Sequence, residues 1–428
     1  METLETLFDL LKDSPGPYHA VQRAARVLTE AGFEGLSEGT PWELRPGGKY
    51  FVTRNQTSII AWKQPAEKPA CWHFTASHSD SPTWRIKTTG SAQNRYTRAE
   101  VEGYGGMIMS SWLDRPLSAA GRVMCRTEDG VEAKLVNLDR DLFVIPNQAI
   151  HVNRQVNTGY NFNAQEDLQP IIGSAQKDFK GVLAAAAGVQ PEDILDMDLN
   201  LIVRDAPRVV GLEDEFFMAP RIDDLECCFT TLLGFLRSER QEGFWCMFDN
   251  EEVGSTTRQG AHGTFLPDVL NRCAAALGMT EDERLAALNN SLLLSCDNAH
   301  AVHPNHPEKY DREHWVEMNG GVVIKFSASE RYTSTGLTAS LMKLVCEKAG
   351  VPWQMFANRA DQPGGGTLGN LLSEQLSIPM VDIGLAQLAM HSAVETAGTK
   401  DPDYMVRAVA QYFDTALTQT RDGVWKLN

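Results

Sequence analysis

The chain has 428 residues, 43% of them hydrophobic and 22% charged, with a formal net charge of −17. That length suits one large α/β domain plus a second, smaller one, and that charge argues against nucleic acid and anionic membranes as partners. No segment approaches the roughly 18 uninterrupted apolar residues of a membrane span, and Met1-Glu2-Thr3-Leu4-Glu5 lacks the basic-then-apolar pattern of a secretory signal.

In chain order, the pattern predicts helices over 4–12 and 18–31, separated by Ser14-Pro15-Gly16-Pro17. Strand-like runs follow at 50–53, 58–62 and 71–76. Beyond them, apolar strands at 199–203, 244–248, 291–296, 322–326, 353–356 and 380–383 alternate with helical patterns at 225–238, 266–277, 337–349, 368–375 and 404–420. This alternation predicts an α/β fold, a mainly parallel sheet covered by helices. Residues 91–205 break it with β-rich character. The runs 121–125 and 131–136 flank Thr127-Glu128-Asp129-Gly130, a hairpin signal. Short strands at 142–145 and 150–152 and a helix at 179–187 are expected there. The chain then divides into a first domain made of residues 1–90 and 206–428 and an inserted β-rich domain, 91–205. Eight cysteines show no Cys-x-x-Cys pairing, which reads as buried free thiols in a reducing cytoplasm.

The chemistry gathers at predicted strand ends. Glu251 and Glu252 follow the apolar run 244–248, within Phe248-Asp249-Asn250-Glu251-Glu252-Val253-Gly254-Ser255. Anions buried there are costly unless a cation meets them. Adjacent residues on extended backbone point opposite ways, so one glutamate would grip a metal and its neighbour move a proton. His78 and Asp80 follow the 71–76 run, Asp297 follows 291–296, Asp223 opens the 225–238 helix, and His391 lies past 380–383. Ligands gather at the carboxyl ends of strands in open α/β sheets. Two imidazoles and several carboxylates suit zinc or a related divalent ion. Five ligands exceed one four-coordinate zinc that keeps a water; they suit two ions sharing a carboxylate, with a bridging hydroxide as nucleophile. Each residue also has an ordinary reading. Asp223 suits a helix cap, Asp297 an Asx-turn, His78 a satisfied polar histidine, His391 a helix start and Glu251-Glu252 a solvated loop. A histidine group, His300, His303, His306 and His314, reads as a loop shaping the site.

These stretches resemble the aspartyl aminopeptidase family of cytosolic di-zinc metallopeptidases. The resemblance rests on His78-Ser79-Asp80-Ser81-Pro82, Arg221-Ile222-Asp223-Asp224-Leu225, Asp249-Asn250-Glu251-Glu252-Val253-Gly254-Ser255, Asp297-Asn298-Ala299-His300-Ala301-Val302-His303-Pro304-Asn305 and Met390-His391-Ser392, in the family's order. It implies that Asp223 bridges two ions, that His78 and Asp297 complete one shell, and that Glu252 and His391 complete the other. It implies Glu251 as general base and Asp80 as the residue orienting His78. It also implies that the insert is a dimerisation domain, that His151 reaches the neighbouring subunit's site to stabilise an oxyanion, and that dimers build a dodecamer. Lys325 and Tyr332 match an acidic-side-chain pocket; a lysine ending a buried strand needs an anion, from a substrate carboxylate or an internal salt bridge. There are departures. Ser327-Ala328-Ser329-Glu330 stands where relatives often carry Asn-Ser-Asn-Gln, and Pro363-Gly364-Gly365-Gly366-Thr367 lacks a cysteine common among relatives. The expectation is a cytoplasmic metalloaminopeptidase, a homo-oligomer acting on peptides with N-terminal Asp or Glu through two divalent ions, most simply zinc. The alternatives are a related di-metal hydrolase preferring neutral residues and an inactive oligomeric binding scaffold.

Overall fold

The computed structural model describes residues 2–428 apart from Asn94, Ala175, Gln176 and Gln241, with the backbone alone described over 88–93. The first two helices form at Glu2–Lys12 and Pro17–Glu30. Leu4, Leu7 and Leu11 of one, and Val21, Ala24 and Leu28 of the other, are buried at the three- and four-residue spacing of a single helix face.

Among the described residues the largest sheet has nine strands. Their spatial order is Glu34–Leu36, Lys49–Arg54, Ser58–Lys63, Gly243–Phe248, His73–His78, Leu292–Cys296, Met380–Gly384, Val322–Lys325, Trp353–Phe356. The central four, from Gly243–Phe248 to Met380–Gly384, run parallel. All four are buried along their whole length because both faces are covered. Trp245 and Met247 enter one core with the helices Ile222–Arg237, Gly336–Ala349 and Asp401–Asp414. Phe244, Cys246 and Phe248 enter the other with Phe265–Ala276, Glu281–Asn289 and Leu368–Leu376. Each fully buried large side chain of this kind contributes roughly 1.5–3 kcal/mol of transfer free energy.

A second, antiparallel sheet takes its strands from between Thr83 and Val203. Its order is Val131–Asn137, Leu117–Arg126, Ile194–Val203, Thr83–Gln93, Tyr96–Tyr104, Ile171–Ser174, and the helix Phe179–Ala187 packs into its separate core. The expected 199–203 run is the end of one of these strands. A third sheet joins Arg208–Val210, Phe216–Ala219, Glu395–Gly398, Ala386–Leu388 and Ala299–His300. No helix among the described residues is long and apolar enough to cross a membrane. All eight cysteines are buried and free.

Three expectations are corrected. The last helix stops at Asp414, and Leu417–Arg421 pairs instead with Val424–Leu427. The turn Asp422-Gly423 is a hairpin signal, and Gly423 takes the positive φ of +75° that it requires. At 142–145 only Phe143 and Val144 pair, as isolated bridges to Leu117 and Ile171. Residues 150–152 form a turn closed by the Val152 N–H on the Ala149 carbonyl, and the exposed Ile150 and Val152 face no strand among the described residues.

Candidate metal centre

His78 is the last residue of a central strand, and parallel pairing sets it beside Phe248, just before the Glu251 turn. Its backbone N–H donates to Asp224 Oδ2 at 3.0 Å. Its ring Nδ1 lies 3.1 Å from the Asp80 carbonyl and 3.4 Å from the Asp80 carboxylate. That carboxylate also accepts from the Glu251 and Glu252 backbone N–H groups, both at 3.1 Å, and from the Tyr104 hydroxyl at 2.7 Å. Asp80 therefore fixes the imidazole and the glutamate turn together. The two glutamates do not alternate on extended backbone. They sit in a 3-10 turn, Glu251–Val253, entered through Asn250 at φ +64°, which keeps a carboxylate oxygen of each within 4.8 Å of the other and of His78.

Asp223 precedes the regular helix, since both it and Asp224 have non-helical backbone. Its Oδ1 lies 3.4 Å from His78 Nε2 and its Oδ2 lies 3.3 Å from His391 Nε2. Glu252 Oε1 is 3.4 Å from the same His391 nitrogen, and His391 Nδ1 is held by the Gly106 carbonyl at 2.8 Å. Asp297 follows the neighbouring strand, with its N–H on the Ile383 carbonyl at 2.9 Å. Gly384 passes so close that an added Cβ would stand 1.8 Å from the Asp297 carbonyl oxygen.

Ligand atoms of His78, Asp223, Asp224 and Asp297 lie within 4.8 Å of one another, as do those of Asp223, Glu252 and His391, and those of His78, Glu251 and Glu252. Asp223 belongs to two of these groups. Asp223 Oδ1 and Glu252 Oε1 are buried with no hydrogen-bond donor. Buried carboxylate oxygens without donors are costly, and divalent cations supply what they lack. This donor set fits zinc.

The protein's own charges show the same tension. Burial pushes the Glu251 carboxyl up to about 7; His78 opposes this, while Asp297, Asp80 and Asp223 add to it. Burial likewise raises Glu252 well above the usual range, helped by Asp223. Burial works against the charged form of His391, yet Asp223 and Glu252 outweigh it and lift the imidazole to about 10.

The centre opens into a cleft of about 600 Å³ lined by His300, His303, Lys325, Tyr332, Phe356 and Gly366 among others. Lys325 is buried, donates to the Asn298 carbonyl at 2.7 Å and stands 3.7 Å from Asp297 Oδ2. Its ammonium lies 5.6 Å from the Tyr332 ring centroid. The internal salt bridge weighed from sequence is thus present, on the cleft wall. Burial and the Lys325 charge lower His300 to about 4, so it faces the cleft as a neutral ring. His151 is exposed on the 150–152 turn and does not line this chain's cleft.

Three acids at the site went unassigned by sequence: Asp224, which is buried in one ligand group and accepts the His78 N–H, and two others. Glu395 is buried and accepts from the backbone of Asp223 and His391. Asp382 is buried and accepts from Thr333 and Thr367. Each of these two is a lone carboxylate inside an apolar stretch, and that unexplained burial is the signal that marks them.

The chain matches known proteins along nearly its whole length. The family model described as aminopeptidase I zinc metalloprotease (M18) matches residues 10–413. A Clostridium acetobutylicum protein named "Probable M18 family aminopeptidase 2" is 40% identical over 97% of this chain and 99% of its own length. A protein of the same name from Ectopseudomonas mendocina is 37% identical over 97% and 98%. Among solved structures, that of Ape4 in complex with Nbr1 has a TM-score of 0.92 at 35% identity, covering 96% of this chain and 85% of that one. The mApe1 dodecamer of Saccharomyces cerevisiae has a TM-score of 0.84 at 26% identity, covering 96% of both.

Proposed function

The chain belongs to the M18 family of zinc aminopeptidases, and from that premise we propose that it removes an N-terminal Asp or Glu from peptides at a dinuclear centre. The observation that carries the dinuclear reading is Asp223, which turns one oxygen to each imidazole, Oδ1 3.4 Å from His78 Nε2 and Oδ2 3.3 Å from His391 Nε2. In this reading His78 and Asp297 complete one ion's shell, and Glu252 and His391 the other's. Divalent ions held by these residues would supply Lewis-acid chemistry, polarising the scissile carbonyl and lowering the pKa of an attacking water. Glu251, raised to about 7 by burial first, takes the proton of that water and delivers it to the leaving amine. Asp80 keeps His78 and the Glu251 turn in place.

Lys325 and Tyr332 on the cleft wall are the proposed contacts for an acidic side chain. The net charge of −17 repels acidic peptides at long range, but screening over about 8 Å at physiological salt leaves a local cation decisive. The Lys325–Asp297 pair favours a second reading, a related enzyme preferring neutral residues, because the lysine already has an anion. The second sheet begins at Thr83, ahead of the boundary expected at 91, and the unit that holds it, residues 83–205, is the proposed dimerisation domain, in a cytoplasmic homo-oligomer as large as the yeast dodecamer.

The test is a panel of Asp-, Glu- and Leu-anilides assayed before and after chelation. Faster turnover of the acidic pair, lost on chelation and restored by zinc, is expected. Faster Leu-anilide cleavage would replace the acidic reading with the neutral one. Activity indifferent to chelator would remove the metal from the proposal.

A further inference from the structure

We propose that Glu395 is a positioning residue whose carboxylate staples together the backbones of two metal ligands, Asp223 and His391. It thereby sets the affinity of the ion that Asp223, Glu252 and His391 share; this rests on the dinuclear reading above. Glu395 opens a strand of the third sheet and is 2% exposed. Its Oε2 accepts from the Asp223 N–H at 3.1 Å. Its Oε1 accepts from the His391 N–H at 2.8 Å and from Gln387 Nε2 at 3.1 Å.

Both amides lie on irregular backbone. Asp223 precedes the regular helix, and His391 has a left-handed φ of +67°, two residues after Ala389 at +57°. Non-glycine residues hold that conformation only where their surroundings impose it. All three partners of Glu395 are donors, so both of its carboxylate oxygens act as acceptors. The carboxylate belongs to none of the groupings of ligand atoms, and its oxygens are turned to amides instead. A buried acid among Ala393, Val394 and Ala397 has no packing advantage over an apolar residue. Its two backbone contacts join ligands that are 168 residues apart, from Asp223 to His391.

The effect is unequal between the two ions. His78 ends a strand of the large sheet, beside Phe248, and Asp297 follows the neighbouring strand with its N–H on the Ile383 carbonyl. Glu395 touches neither. The Glu252–His391 ion loses two anchored ligands when Glu395 changes, and the His78–Asp297 ion only the shared one.

The experiment is titration of the metal-stripped full-length protein with Zn²⁺ alone, against a competing chromophoric chelator. It compares wild type, Glu395→Gln, Glu395→Asp and a His391→Ala control. The glutamine turns an NH₂ group toward an N–H; the aspartate keeps the charge but is one methylene too short to span both amides. We expect two sites in the wild type, with one of them weakened roughly 10–100-fold in both Glu395 variants and the other, which shares only Asp223, weakened less. The more weakened site should be the one His391→Ala removes. Circular dichroism of the metal-free proteins identifies the folded variants, and the aspartate variant carries the test if the glutamine variant does not fold. Two undiminished sites, or two sites weakened alike, would overturn the inference while leaving the dinuclear reading standing. A wild type that takes up fewer than two ions overturns that reading and the inference with it.

Discussion

In the proposed mechanism Glu251 is the proton acceptor, and an amide in its place keeps the shape and loses that acceptor. Glu251→Gln is expected to lower kcat by about 10²–10⁴ while zinc content and thermal midpoint stay unchanged; steady-state kinetics beside metal analysis check this. His73 gives a second prediction, about stability. Burial lowers its pKa from 6.5 to about 4, against a ring hydrogen bond to the Thr415 carbonyl at 2.8 Å. The folded state thus keeps it neutral where the unfolded chain takes up a proton. Its contribution is complete above pH 6.5 and is lost as pH falls from 6.5 toward 4, up to about 3 kcal/mol. His73→Gln should flatten that part of the pH dependence, read as urea midpoints of variant and wild type at pH 4 and pH 7. Residues like His78, Asp297 and Glu252 were legible in the sequence because a polar group directly after an apolar run betrays a strand end. Glu395 and Asp382 were not, because each reaches its partners through tertiary contacts with distant segments.

At the scale of elements, the central strands were legible for the same reason that they are buried: their apolar runs leave no solvent face. The division of work between Glu251 and Glu252 was read from strand alternation and the family resemblance, the order of the two roles from the resemblance alone, whereas the two residues sit in a 3-10 turn whose N–H groups bond Asp80. The hairpin at 121–136 was legible from its turn; the partners of 142–152 were not, since nothing local specifies them. Loops show how sheet residues govern the cleft. Asp382, on Met380–Gly384, accepts from the Thr333 N–H at 2.6 Å and hydroxyl at 2.7 Å, and from the Thr367 hydroxyl at 2.5 Å. It ties the segment carrying Tyr332 to the segment carrying Gly365 and Gly366. Asp382→Asn exchanges one acceptor oxygen for a donor and removes the charge, and bonds to charged groups contribute about 1.5–3 kcal/mol. KM for dipeptide substrates should rise on the order of tenfold with a smaller change in kcat, because ground-state binding surfaces are loosened. Equal losses in kcat and kcat/KM with KM unmoved would show that the two segments act on chemistry instead.

At the scale of the whole molecule, the cleft is built by one chain, while His151 stands on an exposed turn between Ile150, 48% exposed, and Val152, 75% exposed. Exposed apolar residues on both sides of a histidine suit a surface that another subunit covers. If His151 serves the neighbour's site, the defects of His151→Ala and Glu251→Gln lie in different subunits of a dimer and can complement each other. In a two-fold dimer each site draws Glu251 from one chain and His151 from the other. A mixed dimer then holds one site with both residues and one with neither. Random pairing of two co-expressed variants makes half the dimers mixed, so roughly a quarter of wild-type turnover should return, although each variant alone is nearly inactive. Tagging the two chains differently and purifying on both tags should raise that to about half. The outcome discriminates sharply, because a histidine acting within its own chain leaves every site of every dimer short of one residue, and mixing would restore nothing.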